Sequence, residues 1–385
     1  MMNQKEHQSN GQKKLLVTMI GSYDVYGVST YLTNMLKHMD LTGYDVTYFT
    51  PQRISAKERA EELRKLGIEM RAGNLKEPTG SDSIRKKLDF HIQVILKLRE
   101  ICREKSYDII QVNTGSIVFQ AYMLFFSRCF GIKRRISNSR SADFNQNWIV
   151  LRKMVVRNAT DLLACSDVAA ECLFGKKAAQ KAIIVKNGID TERFAFDASV
   201  RAKYREKLGI GETDFVIGHV GGFAAVKNHP FLVRVFQSVA REDPSAKLLL
   251  VGGGSENKIR DLIKSFGLEE RVIFAGQTNN TENYYCAMDV FAMPSLSEGL
   301  PNAGIEAQTS GLPCFFSDRI TKAVKLTVNA QFLSIEDENL WAEKIMSVKR
   351  ETPQRETAWM AVRDAGWDVT ECAKALDKLY SSSNL

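Results

Sequence analysis

Pro294-Ser295-Leu296-Ser297-Glu298-Gly299-Leu300-Pro301-Asn302-Ala303-Gly304-Ile305-Glu306 directly follows the apolar run Val290–Met293 and decides how the rest of the chain is read. Two carboxylates stand eight positions apart in it. A helix beginning near Pro301 or Asn302 leaves Glu298 on the entering loop and puts Glu306 in the first turn or two. Pro301 suits such a start, because the N–H it lacks has no partner there anyway. Free backbone N–H groups at a helix start hold phosphate oxygens well. An isolated Glu pair at this place reads first as complementing the helix dipole, so the surroundings must decide.

Outward from that stretch, short β-branched or aliphatic runs alternate with helical patterns. The first series is Leu15–Ile20, Tyr44–Phe49, Asp108–Val112, Arg135–Ser137, Asp161–Cys165 and Ile183–Val185. A second comprises Phe215–Val220, Lys247–Val251, Val272–Ala275, Val290–Met293 and Pro313–Phe315, with helical stretches around 228–241, 256–266 and 298–310. Strand-helix alternation of this kind builds parallel sheets covered on both faces. The expectation is therefore an α/β chain with two doubly wound, Rossmann-like domains, consistent with a length of 385 residues, beyond the ~250–300 a single core usually supports. Lys186-Asn187-Gly188-Ile189-Asp190 has the turn chemistry of an exit from a strand, placing the linker near 188–205. The expected division is a polar tail 1–14, a first domain 15–195, a second domain 196–365 and a closing helix within 366–385. In that last segment Val369, Cys372, Leu376 and Leu379 share one side. Ligands of such domains gather at the carboxyl ends of the strands, so the site is expected in a cleft between the two domains.

Composition excludes other classes. Hydrophobic residues at 44% and charged residues at 25% rule out a fibrous or largely disordered chain. The seven Cys, at 102, 129, 165, 172, 286, 314 and 372, form no C-x-x-C pair and no metal-ligand spacing, which points to a reducing, cytoplasmic setting. The first fourteen residues lack the apolar core of a signal peptide. The most apolar stretch, Ile117–Phe130, is broken by Gln120, Ser127 and Arg128 and falls short of the ~20 residues needed to span a bilayer. Residues 1–195 hold 31 Lys and Arg against 20 Asp and Glu, net +11, whereas 196–385 hold 22 against 25, net −3. A basic half attracts phosphates or an anionic membrane surface. Docking is expected near Arg85-Lys86-Lys87 and Lys133-Arg134-Arg135, around a helix with Phe90, Val94, Ile95 and Leu98, although those apolar residues equally read as a core-facing stripe. No recognition motif supports nucleic-acid binding.

Set in this context, Pro-Ser-x-x-Glu-Gly-Leu-Pro-x-x-x-Ile-Glu-Ala after a buried strand resembles the E-x7-E element of the retaining glycosyltransferases of family 4, which have the GT-B fold. The order of other motifs supports the resemblance. These are Asn187-Gly188-Ile189-Asp190 followed by Phe194, then Gly218-His219-Val220-Gly221-Gly222-Phe223 with Lys227-Asn228, then Val251-Gly252-Gly253-Gly254 and Phe274-Ala275-Gly276. The likeness spans the chain, with its specific motifs between 183 and 311. It implies two Rossmann-like domains facing across a cleft, with the C-terminal helix returning to the first domain. It also implies transfer of a sugar from a nucleotide-diphosphate donor, a UDP-sugar being favoured, to a glycan or lipid-linked acceptor in bacterial surface-polysaccharide assembly, with the enzyme peripheral on the inner leaflet of the membrane.

Carried over residue by residue, Glu306 would bind the ribose hydroxyls, Glu298 the donor sugar and Lys227 the diphosphate. Asn228, Gly221, Gly222, Gly299, Leu300, Pro301 and Asn302 would line the donor site, and Gly276 with Gln277 would lie near the base. A carboxylate accepts from two vicinal hydroxyls, and an ammonium stabilises charge developing on a departing diphosphate. Gly27, after the first strand and before a helix near Ser29–His38, resembles the glycine loop of the family's first domain, where a Cβ would obstruct the diphosphate. Two departures stand out. Gly222 occupies the place where the family usually has Arg, so one cation of a paired clamp is missing. The usual first-domain histidine has no counterpart either, its places reading Gln111-Val112-Asn113 and Asn138-Ser139-Arg140. Asn113, Asn138 and Arg140 are acceptor-side candidates, though they read as well as ordinary strand-end polar residues. No D-x-D occurs, so no divalent ion or other cofactor is expected. The departures keep open a second reading, a nucleotide-sugar-binding partner of an assembly complex with little catalysis.

Overall fold

The computed structural model describes residues 11–21, 23, 27–79, 81–114, 116–140, 148–298, 300–348 and 354–382. The chain divides into two compact units, Met1–Gly188 with Val369–Leu385, and Ile189–Asp368. Each is built on one parallel sheet.

The first sheet contains β1 (Lys13–Met19), β2 (Tyr44–Thr50), β3 (Glu69–Ala72), β4 (Ile109–Thr114), β5 (Arg134–Ser139), β6 (Asp161–Ala164) and β7 (Ile183–Ile184), in the order β3-β2-β1-β4-β5-β6-β7. Leu15, Leu16 and Val17 are fully buried at its centre; both faces of a parallel sheet are covered by helices, so β1 reads there as a continuous apolar run rather than an alternating one. β3 has no counterpart in the sequence reading. It lies at the sheet edge and carries Glu69 and Arg71, the charged composition by which edge strands avoid further pairing. The C-terminal helix Val369–Ser381 packs into this unit's core through Cys372, Ala373, Leu376 and Tyr380. Lys13 Nζ donates to the carbonyls of Tyr380 and Ser381 at 3.0 Å each, occupying acceptors that a helix end leaves open.

Arg134 belongs to the same anchor and not to a docking surface. It is 4% exposed, paired with Asp161 at 2.9 Å and donating to the Ser382 carbonyl at 2.8 Å. Arg135 is likewise turned to the carbonyls of Ile132, Lys133 and Asn158. Phe90, Val94 and Leu98, on the helix Ile84–Glu104, are buried, so these three take the core-facing alternative.

The second sheet contains β8 (Phe215–Val220), β9 (Ala246–Val251), β10 (Val272–Gly276), β11 (Val290–Met293), β12 (Cys314–Ser317) and β13 (Ala330–Leu333), ordered β10-β9-β8-β11-β12-β13. β13, another edge strand with exposed Gln331, was not foreseen. Residues 189–195, assigned from sequence to the first domain, belong to the second unit. The Ile189 N–H donates to the Trp367 carbonyl at 2.7 Å and Thr191 to Asp368 at 2.8 Å. Residues 366–368 stay with this unit for the same reason. Ile217, Phe236, Leu250, Phe315 and Trp341 centre its core.

Arg355 fastens the layer behind the site. Its buried guanidinium donates to the carbonyls of Ser310, Met288 and Tyr285, at 2.9 Å each, and to Ser310 Oγ at 3.0 Å. It also lies over the Phe196 ring at 4.1 Å. Among the described residues no cysteine is bonded to another.

Candidate functional site

In the second sheet the strand order reverses between β8 and β11, which pair side by side. Loops leaving adjacent strands at such a switch diverge to opposite faces of the sheet and open a crevice there. The loop after β8 carries Gly221, Gly222 and Lys227, and the loop after β11 carries Glu298. Three contacts fasten them together. The Lys227 ammonium stands 2.5 Å from Glu298 Oε1, the Leu296 N–H donates to the Val226 carbonyl at 2.8 Å, and Asn228 Nδ2 donates to the Pro294 carbonyl at 3.2 Å. Asn228 adopts a left-handed φ of 56°, which Asn tolerates better than most residues, and the helix His229–Glu242 starts after it. Lys227 and Glu298, 71 residues apart in sequence, are thus one largely buried ion pair, with side chains 22% and 15% exposed.

The glycines after β8 and β9 and the last residue of β10 lie edge to edge. The Gly221 N–H donates to the Val251 carbonyl at 2.9 Å and the Gly252 N–H to the Gly276 carbonyl at 3.0 Å. A Cβ on Gly252 would stand 2.0 Å from the Gly221 carbonyl oxygen, a distance no side chain survives. At Gly221 an added Cβ would meet His219 Nε2 at 3.0 Å and the Lys227 side chain at 3.5 Å. Gly222 has more space, its nearest neighbour being the Gly253 carbonyl at 3.3 Å.

Glu306 sits on the helix Asn302–Thr309, which starts directly after Pro301. Its carboxylate accepts from the Tyr285 hydroxyl at 2.8 Å. Only part of the residue reaches the surface, and burial pushes its carboxyl up to about 7, against the pull of Tyr285 and of Arg193. Tyr285 is fully buried; burial first and then the Glu306 charge push its phenol well up, so it stays a neutral donor. Sequence reasoning missed Tyr285. It lies 21 residues from its partner on another helix, and Tyr-Tyr in Asn283-Tyr284-Tyr285-Cys286 carries no local mark of a functional role. His219 and His229 also lie beneath this loop region. Their rings are 4.8 Å apart and edge-on, and both are held neutral, by burial first, with Lys227 adding repulsion.

The remaining expected donor-side residues spread around this centre. Leu300 and Pro301 are buried, Asn302 is partly buried and Gln277 is exposed. Gly276 takes a φ of 71° at the end of β10. Gly299 lies outside the described residues.

In the first unit, Gly27 opens the helix Gly27–His38 with a φ of 44° and open space where a Cβ would stand. Asn113 and Asn138, proposed for the acceptor side, are instead fully buried. Asn138 Nδ2 donates to Asn113 Oδ1 at 2.8 Å, and so does Gln111 Nε2 at 2.7 Å. Gln111 Oε1 in turn accepts from the Tyr380 hydroxyl at 2.7 Å. Parallel β4 and β5 put residues 113 and 138 side by side, so two strand-end amides become an internal network, the usual fate of a polar group in a core. Arg140 is partly exposed; its guanidinium lies 3.4 Å above the Tyr31 ring and donates to Asn187 Oδ1.

Residues 25–193 match the family described as Glycosyltransferase Family 4, and residues 200–359 match Glycosyl transferases group 1. A Bacillus subtilis protein bearing the name glycosyltransferase EpsF is 31% identical over 276 residues, covering 68% of this chain and 72% of that one. The Escherichia coli UDP-Gal:alpha-D-GlcNAc-diphosphoundecaprenol alpha-1,3-galactosyltransferase is 33% identical over 145 residues, 36% of this chain and 37% of its own. Among solved structures, Anabaena HepE in complex with UDP and glucose superposes with a TM-score of 0.75 at 18% identity, covering 95% of this chain and 99% of that one. With a relative aligned over most of its length and both halves matched, the chain belongs to the glycosyltransferases that pair a Family 4 first domain with a group 1 second domain, on the GT-B fold.

Proposed function

We propose that this glycosyltransferase moves a sugar, with retention at the anomeric carbon, from a nucleotide-diphosphate sugar to a glycan or lipid-linked acceptor in bacterial surface-polysaccharide assembly, working at the inner leaflet of the membrane. The observation that carries the reading is the Lys227–Glu298 pair at the β8/β11 switch point. A cation for a diphosphate and a carboxylate for sugar hydroxyls stand in direct contact, as the two ends of a sugar-phosphate bond require. Glu306, with one oxygen held by Tyr285, is suited to take the ribose hydroxyls. The glycine loop at 221–222 lets the diphosphate approach backbone that side chains would shield. UDP is the favoured nucleotide, in keeping with the UDP complex of HepE and the UDP-galactose donor named for the Escherichia coli relative. That relative's diphosphoundecaprenol-linked acceptor supports a lipid-linked one here.

In the transfer, the bond between the anomeric carbon and the β-phosphate oxygen breaks and a bond to the acceptor oxygen forms on the same face. The departing diphosphate takes the acceptor's proton, so the protein supplies charge stabilisation more than acid-base groups. Lys227 performs that role without a divalent ion. Among the described residues no three His, Cys, Asp or Glu are grouped to hold a metal ion. Incubation with UDP- and GDP-sugars and a polyprenyl-diphosphate-linked acceptor tests the proposal, and normal turnover by Glu306→Ala would defeat the residue assignment. A second reading, binding without turnover, is favoured by Gly222 and by a Lys227 already neutralised by Glu298. Calorimetric binding of a nucleotide sugar that is never consumed would select it.

A further inference from the structure

Arg193 lies in the turn after Asp190 and is fixed there from several sides. Its N–H donates to Asp190 Oδ1 at 3.1 Å. Its Nη2 donates to Glu282 Oε2 at 2.9 Å and to the Asn279 carbonyl at 2.7 Å, and its guanidinium carbon stands 5.7 Å from the centre of the Phe194 ring. Phe194 in turn packs against the Tyr285 ring, with centroids 6.0 Å apart, and the Tyr285 hydroxyl is the one that Glu306 accepts from. Glu282 and Tyr285 are three residues apart on the helix Thr281–Ala287, hence on one face of it. Arg193, Glu282, Tyr285 and Glu306 therefore belong to one cluster within the second unit. The groups that act on the Glu306 carboxyl there are the Tyr285 hydroxyl and the Arg193 charge, which favour the carboxylate, and the Glu282 charge, which opposes it.

We infer that Arg193 is a positioning residue for the donor: held by Glu282 and by the Asn279 carbonyl, it supplies the positive charge that keeps Glu306 a carboxylate able to accept from the ribose hydroxyls. The inference rests on the reading of Glu306 as the ribose ligand. Burial disfavours the charged form of a carboxyl, and a protonated one would bring a donor to the place where two vicinal hydroxyls need acceptors. Tyr285 has one proton to give and engages one oxygen. A guanidinium cannot lose its charge in a protein, so it supports the carboxylate at every pH at which the chain is folded. The Arg193 side chain is 42% exposed and that of Glu282 17%, so solvent and the acidic partner both damp the effect. Arg193 tunes the site and does not dominate it.

Isothermal titration of the full chain with UDP between pH 6 and 9, each variant set against the parent at the same pH, tests the role. Arg193→Met should lower affinity about 2- to 5-fold at pH 7, the lower end of what a nearby opposite charge does for a carboxylate, and the deficit should vanish toward pH 9, where Glu306 is ionised in either protein. Arg193→Lys keeps the charge and should regain most of the affinity. Glu282→Gln should act in the opposite direction, tightening UDP binding at pH 6 and leaving it unchanged at pH 9. A merely structural part for the Arg193–Glu282 pair would instead weaken binding in both variants at every pH. Unaltered affinity in Glu306→Gln would defeat the ribose assignment, and this inference with it. A loss in Glu306→Gln beside unaltered affinity in Arg193→Met at pH 7 would overturn the inference alone, as would an Arg193→Met deficit that persists at pH 9, the mark of direct contact with the phosphates. Should Arg193→Met fail to fold, Glu282→Gln carries the test, and affinity equal to the parent's at pH 6 overturns the inference.

Discussion

Replacing Tyr285 by Phe removes one hydroxyl and leaves the ring, and its effect follows from Glu306. The hydroxyl lies 2.8 Å from the carboxylate and 3.2 Å from the Ala303 carbonyl. It has a single proton, and the charged acceptor is the stronger claim on it. A hydrogen bond to a charged group contributes about 1.5–3 kcal/mol, equivalent to roughly one to two pKa units. With the Glu306 carboxyl at about 7, close to half is ionised at neutral pH. Tyr285→Phe should leave about a tenth to a hundredth ionised, weakening UDP binding by about 5- to 50-fold at pH 7 if the ionised form accepts from the ribose. The deficit should close as pH is raised toward 9. Glu306→Gln, which cannot ionise, should show a deficit that pH does not repair. Isothermal titration with UDP between pH 6 and 9 measures all three proteins. Equal affinity of Tyr285→Phe and the parent at pH 7, or a deficit independent of pH, would refute the reasoning. Stability should move the opposite way. Glu306 stays neutral in the folded state up to about 7 while the unfolded group ionises near 4.5. Folding therefore loses up to about 3 kcal/mol as pH rises across that window, with no further loss above it.

Four other outcomes are expected. Lys227→Met should lower kcat by about 10²- to 10³-fold if the ammonium meets charge on the leaving diphosphate, and pairing it with Glu298→Gln should restore the unfolding midpoint but not turnover, because the second change removes an uncompensated buried carboxylate. Gly222→Arg should tighten UDP binding, by about tenfold for one added charged contact; the Gly253 carbonyl, 3.3 Å from the new Cβ, has to yield only slightly, and weaker binding would show that the loop cannot give. Turnover in excess EDTA should equal turnover in magnesium, checked by release of the nucleoside diphosphate. Arg355→Leu should lower stability by about 3–5 kcal/mol in denaturant titration, since it removes four buried hydrogen bonds from one charged donor, while the Met288 carbonyl keeps Arg201 and the Tyr285 carbonyl keeps the Met288 N–H.

The central strands and the order of motifs were legible because both are local. β1, β8 and β11 each hold a buried apolar run, Leu15–Val17, Phe215–Ile217 and Val290–Met293, and each strand is followed within a few residues by the glycine or carboxylate that marks its loop. Of the four edge strands, β7 and β10 are aliphatic enough to be read as Ile183–Val185 and Val272–Ala275, but β3 and β13 were not legible, because their mixture of Glu, Arg and Gln with apolar residues matches no clean period. Side-chain partners across the chain were also hidden. Nothing in Gln111-Val112-Asn113 shows that its amides are consumed by Asn138 and Tyr380, because that depends on β4 and β5 standing in register and on a C-terminal helix that arrives some 270 residues later. The polar residues at the ends of β4 and β5 thus separate by depth. Asn113 and Asn138 are inside, and Arg140, one step further out, remains at the surface against Tyr31.

The same separation by depth explains why two helix faces with similar sequences play different parts. On Ile84–Glu104 the residues at 90, 94 and 98 and those at 84, 88, 92 and 96 are both apolar and both spaced for a helix, so periodicity ranks them equally. Only burial within the folded unit decides which face is core. Once it is decided, the exposed stripe of Ile84, Leu88, Ile92 and Leu96 contributes nothing to the core: leaving four large aliphatic side chains in water forgoes roughly 1.5–3 kcal/mol each relative to burial. Arg134, the residue that charge counting put on the docking surface, goes the other way, because it is the anchor of the C-terminal helix. Charge and apolarity in the first domain were visible in the sequence. Their assignment to core, anchor or surface required the fold.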